Sequence, residues 1–210
     1  MAAYLYPAYT LISLFLTIWG MVIFATKPDL SAVLMILVLL GITYDSLIIS
    51  LGSLINEGDL LKCLNQLRYL FHSLFVPLLV VVTREFAEDA GVLWVTHWWL
   101  DYSIWVLTFG LITIGVVSNI LNPQLTPTQF GGTLSYKLEN ASPAPAILTT
   151  LLVAIAGVYI WLQTGWSWML SGTLLVICGN AVPTCRVGTL VSSASEMGFM
   201  LTLLATELVV

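Results

Sequence analysis

Seven apolar runs, at 4–25, 31–55, 60–83, 97–121, 146–163, 166–182 and 187–210, occupy most of this 210-residue chain. A helix needs about 18 to 20 apolar residues to cross a bilayer core, and most of the runs reach that length. Backbone amides find no water at that depth, so each run must close its hydrogen bonds within itself. The fold class expected is all-α, a polytopic integral membrane helical bundle of about seven transmembrane helices. Composition agrees, with 59% hydrophobic and 8% charged residues, far from a soluble globular mixture.

The punctuation between runs fits short connections. Lys27-Pro28-Asp29, Asn56-Glu57-Gly58-Asp59, Thr164-Gly165 and Pro183-Thr184 are turn material. The first run is read as a span rather than a leader, because it lacks a basic n-region and a small-x-small cleavage pattern. The fifth and sixth runs are the shortest and are equally suited to a re-entrant hairpin. Successive spans leave no room for a second domain, so 1–210 is expected to be a single transmembrane domain. Its longest break, 122–145, carries four prolines and two glycines and reads as an exposed loop. Two helices, a turn and a third helix occur on each side of the lone fourth span, which suggests a three-plus-one-plus-three pseudo-repeat.

The net charge of −5 comes largely from loop carboxylates, and no basic block is present, so nucleic acid is not an expected partner. The expected partners are the lipid bilayer, a small solute, ion or lipid-like ligand, and a further subunit of a membrane complex. Cys63, Cys178 and Cys185 show no metal spacing and are expected to be small buried hydrophobes. His72 and His97 lie too far apart in depth for a bis-His haem, and the sequence names no cofactor or metal.

Ionisable groups inside the runs carry the functional signal, because charge at membrane depth is costly and usually faces a protein interior or a watery cavity. Asp45 lies roughly 16 Å from the Asn56 turn, Arg68 and His72 roughly 14 and 20 Å from Asp59, and Glu196 roughly 15 Å past Arg186, at 1.5 Å per residue. They share a depth. Asn65, Arg68, Tyr69 and His72 follow the i, i+3, i+4, i+7 spacing of one helical face. Pro77 frees the Ser73 carbonyl beside His72, and Thr189, Ser192 and Ser193 stripe the helix that carries Glu196. Asp45, Arg68, His72 and Glu196 are therefore the first candidate site. A second, shallower one is the i, i+4 pair His97 and Asp101, set among Trp94, Trp98, Trp99 and Trp105.

Packing glue is the competing explanation for all of these groups. Where they are functional, the leading expectation is proton-linked transport of a small solute or ion, with Asp45 or Glu196 taking the proton, His72 as relay and Arg68 as counter-ion. The alternatives are an intramembrane enzyme acting on a lipid or isoprenoid by acid–base chemistry, and an accessory subunit. The two ends of the bundle differ little in cations, with Lys62, Lys137 and Arg186 at one and Lys27 and Arg84 at the other, which fixes no orientation.

Overall fold

The computed structural model describes residues 2–121, 123–183 and 187–210 and is 79% helical. The helices are α1 (Ala2–Thr26), α2 (Leu30–Ile55), α3 (Asp59–Phe75), α4 (Leu79–Asp89), α5 (Trp98–Ile120), α6 (Ala144–Thr164), α7 (Trp168–Asn180) and α8 (Leu190–Glu207). Counting Asp59–Asp89 as one rod, five helices among the described residues are long and apolar enough to cross a membrane: α1, α2, α3–α4, α5 and α6. α7, with 13 residues, is shorter.

The third rod outlasts the expected 60–83 and is not straight. Pro77 has no N–H to offer its i−4 carbonyl, and Val76–Leu78 tightens into a 3₁₀ turn there. α4 then runs through Arg84, Glu85 and Glu88, so part of the expected loop at 84–96 is helix. Asp59 opens α3 as its first residue, with Gly58 at the cap position; at the start of α2, Asp29 is a working cap, its carboxylate accepting from the Ala32 N–H at 3.0 Å.

A larger departure lies in 122–145, expected to be a loop without apolar period. Leu125–Phe130 (β1) and Thr133–Leu138 (β2) pair antiparallel. The two-residue connection is Gly131-Gly132, with φ of 56° and 90°, the double positive φ that glycine tolerates best in a tight hairpin. Leu134, Tyr136 and Leu138 are buried, and the first two pack with Ile48 and Leu61. The outer edge of β2 rests on α2 and α3. Tyr136 N–H donates to Asn65 Oδ1 at 3.2 Å, Tyr69 OH donates to the Tyr136 carbonyl at 3.2 Å, and Leu138 N–H donates to Tyr69 OH at 3.1 Å. An edge strand leaves such groups unpaired, and here two side chains of α3 satisfy them. The Leu134 carbonyl fits only because position 52 is glycine: a Cβ there would overlap its oxygen.

The bundle is packed unevenly along its length. The main apolar core joins Ile23 of α1, Met35 and Leu39 of α2, Val81 and Phe86 of α4, Ile160 of α6, Met169 of α7 and Leu203 of α8. All lie toward the end marked by Lys27. That end is tied by Lys27, whose Nζ is 3.0 Å from Asp89, 3.5 Å from Asp29 and 3.4 Å from Glu207. The hairpin covers the other end, where the Ala3 N–H donates to the Gly131 carbonyl at 3.2 Å. α7 and α8 approach through Gly172 and Gly179, which face Thr202 and Ser195, the small-residue contact that membrane helices favour. Outward faces carry large apolar side chains such as Phe15, Phe109 and Leu162. Trp98, Trp99, Tyr102 and Trp168 are exposed around the Lys27 end, an aromatic girdle suited to a headgroup layer.

Candidate functional site

α2, α3 and α8 bring the first candidate set together. Arg68 Nε donates to Asp45 Oδ1 at 2.8 Å and Arg68 Nη1 to Asn65 Oδ1 at 2.6 Å. Antiparallel neighbours joined by a short turn put Asp45 and Arg68 level, as their matched depth implies. Asn65 is pinned in turn by its Nδ2, which donates to the Leu61 carbonyl at 2.8 Å. One amide oxygen thus accepts from both the arginine and the Tyr136 backbone, joining the charged pair to the hairpin. The Arg68 guanidinium also lies 5.5 Å from the centre of the Tyr69 ring. Arg68 is 8% exposed, whereas the Asp45 side chain keeps 32% of its surface open, toward a cavity.

That cavity, of about 190 Å³, is lined by Asp45, Arg68, His72 and Glu196 together with Thr189 and Ser193. Against it lies a second of about 280 Å³, between α2, α4, α6, α7 and α8, walled by groups such as Leu79, Val153, Val176 and Met200. The two share Val38, Ile42, His72, Val76, Ser192 and Glu196. His72 also borders a third gap, which runs past Ser73, Pro77, Gly115 and Asn119 toward Pro143. Asn119 fixes that gap's rim: its Nδ2 donates to Ser73 Oγ at 3.1 Å, and its Oδ1 accepts from the Ser142 N–H at 3.1 Å. His72 is classed as exposed although it sits on α3 inside the bundle, and the space it meets is this set of cavities.

Glu196 reaches the cavity without an ion pair among the described residues. Its Oε1 is 3.3 Å from the Ser192 hydroxyl, which lies 2.5 Å from Asn180 Oδ1. Thr189 and Tyr6 hydroxyls meet at 2.5 Å and tie the start of α8 to α1. The arrangement holds a carboxylate fixed by arginine, a carboxyl group held only by a hydroxyl, and an imidazole, all facing one cavity. Such a set can give and take protons at a bound molecule while Arg68 stays charged. Among the described residues no three His, Cys, Asp or Glu side chains are grouped to hold a metal ion.

The second candidate pair does not form. Asp101 turns to Arg84, 3.7 Å from its Nε, and His97 caps α5 and stacks on Trp99 at 6.4 Å. Their spacing permitted a contact, but three carboxylates compete for Arg84, which is closer to Glu85 and Glu88. The cysteine expectation fails as well: Cys63 and Cys178 are exposed, on faces of α3 and α7 turned away from the core. Cys185, Arg186, Thr184 and Asn122 lie outside the described residues. Tyr44 donates to the Leu64 carbonyl at 3.2 Å and holds α2 to α3 rather than the charged pair itself.

Glu207 was not singled out by sequence. Its side chain is fully buried, with Oε1 3.4 Å from Lys27 Nζ; the one signal was a lone carboxylate near the close of an apolar run. Compared with protein-family models, curated proteins and solved structures, the chain matches none of them.

Proposed function

We propose that this chain is an intramembrane enzyme that takes an amphiphile, lipid- or isoprenoid-like, and acts on its polar end by acid–base chemistry. The observation that carries this reading is the pair of abutting cavities that share His72 and Glu196, one lined also by Asp45 and Arg68 and the other walled mainly by apolar side chains, with Thr149, Thr150 and Asn180 among them. An apolar tail fits between α4, α6, α7 and α8, and its polar end then lies against Asp45, His72 and Glu196. In this reading His72 and Glu196 exchange protons with the substrate, while Arg68 and Asp45 position it. The cluster holds two carboxylates and one arginine, which favours a hydroxyl, carbonyl or amine at the polar end over an anion.

The same proposal places seven crossings in the bilayer, with the N-terminus at the hairpin end and the C-terminus at the Lys27 end. α7 is the short one at roughly 20 Å. A three-plus-one-plus-three plan would leave α5 as the odd helix. Proton-linked transport draws on the same ionisable groups, but it needs an opening toward the Lys27 end, which the Lys27 ion pairs tie together.

Lipid extracts of membranes holding equal amounts of wild type, His72→Ala and Glu196→Gln test the reading. One amphiphile altered at its polar end should be present with wild type and absent, or replaced by its precursor, with either variant. Identical extracts would sink the enzyme, and a lumenal pH response on reconstitution would then favour transport.

A further inference from the structure

A further chamber of about 360 Å³ lies beneath the hairpin and shares Arg68, Tyr69 and Thr189 with the polar cavity. Cross-strand pairs share a face, and Thr128 is paired with Ser135 and Thr126 with Lys137. Thr128, Ser135 and Lys137 therefore form one wall of this chamber, and Tyr6, Arg68 and Thr189 face them. Its charge is unlike that of the cavity on the other side of Arg68. Among the described residues two cations line it and no carboxylate does, in a chain whose net charge is −5. Lys27 and Arg84 are each ringed by carboxylates, but Lys137 has no ion pair among the described residues. Glu139, next on the same face, accepts from Thr126 at 2.8 Å and does not line the chamber.

Its donors also lack acceptors. Arg68 is 8% exposed and spends Nε on Asp45 and one Nη1 proton on Asn65; among the described residues nothing accepts from Nη2. The hydroxyls of Thr128 and Ser135 are without hydrogen bonds among the described residues too. Arg68 Nη2, with the exposed Lys137 and Thr128 and the half-buried Ser135, offers several donors that no described group accepts, a set suited to an acceptor with several oxygens. We propose that the chamber binds a phosphate-class oxyanion, seated between Arg68 and Lys137 with Thr128 and Ser135 donating to it. The site stands independently of what fills the inner cavities. Arg68 is common to both, so an anion held here lies one guanidinium away from the polar cavity.

Lysine acylation read by mass spectrometry tests this, with Lys62 as the internal control, exposed near the same end but outside the chamber. In phosphatidylcholine nanodiscs, inorganic phosphate at ten times its dissociation constant should slow acylation of Lys137 about tenfold and leave Lys62 unchanged. In a second arm, nanodiscs containing phosphatidylglycerol replace added phosphate. Protection by free phosphate identifies a soluble anion, and protection only in the second arm identifies a lipid headgroup. The double variant Thr128→Ala, Ser135→Ala should lose most of the protection. Lys137 acylated equally fast with and without both anions, equal protection at Lys62, or protection that survives the double variant would overturn the proposal.

Discussion

Arg68 is held by groups on two different elements, Asp45 on α2 and Asn65 on its own helix. This much was legible from residue spacing, because matched depth on helices joined by a short turn leaves the pair few other partners. Removing one member strands the other in a low-dielectric interior, which costs about 3 to 5 kcal/mol; the open third of Asp45 puts the expected loss near the lower figure. Asp45→Asn and Arg68→Gln should each destabilise the protein in detergent, and the double variant should lose less than their sum. Strictly additive unfolding free energies would show that the pair contributes nothing as a pair. Glu196 lines the same cavity as Asp45 and Arg68, but its freedom from ion pairing among the described residues was not readable. Its distance from Arg68 depends on how α8 rotates against α2, and a single sequence does not encode that. His97 and Asp101 show the reverse error, since i, i+4 spacing permits a contact that a nearby arginine then prevents.

At the scale of elements, the helices were legible and the hairpin was not. Long apolar runs leave helix as the remaining option at membrane depth, so α1, α2, α5 and α6 follow the runs closely. In the segment 122–145, the prolines and charges hid a six-residue alternation, Leu134, Tyr136, Leu138, after a Gly-Gly turn. Its partners lie on α2 and α3, some 70 positions earlier in the chain. Gly52 makes the docking possible. Gly52→Val should lift β2 from α2 and cost about 1 to 3 kcal/mol, with faster hydrogen exchange at the Tyr136 and Leu138 amides while α1 and α5 keep wild-type protection. Unchanged exchange at those two amides would mean that the hairpin is not seated on position 52.

Over the whole molecule, the two ends are built differently: ion pairs gather at Lys27, and the hairpin covers the other end. The Lys27 end depends on charge. Burial opposes ionisation of Lys27, yet Asp89 and Glu207 outweigh it and hold its pKa above the ordinary 10.5. Burial likewise opposes the Asp29 carboxylate, but the Ala32 N–H and neighbouring donors hold it below the ordinary 3.8. A raised lysine stabilises fully below 10.5 and loses that contribution as pH climbs past its folded value. A depressed aspartate stabilises above 3.8 and loses its share as pH falls. Thermal midpoints should thus drop at both extremes of pH, and Lys27→Met should remove the alkaline drop; an unchanged alkaline limb would exclude Lys27 as its cause. Tags on the two termini should map to opposite faces of the membrane, and both on one face would remove a crossing. The claim that matters most is that the paired cavities hold one amphiphile by its polar end. Native mass spectrometry of protein released from its membranes measures this directly, comparing wild type with Val153→Phe, which fills the apolar cavity, and Glu196→Gln, which alters the polar end. One amphiphile per chain in wild type, lost or sharply reduced in both folded variants, is the expected result; no amphiphile enriched above bulk lipid, or occupancy unchanged in both variants, would contradict the account.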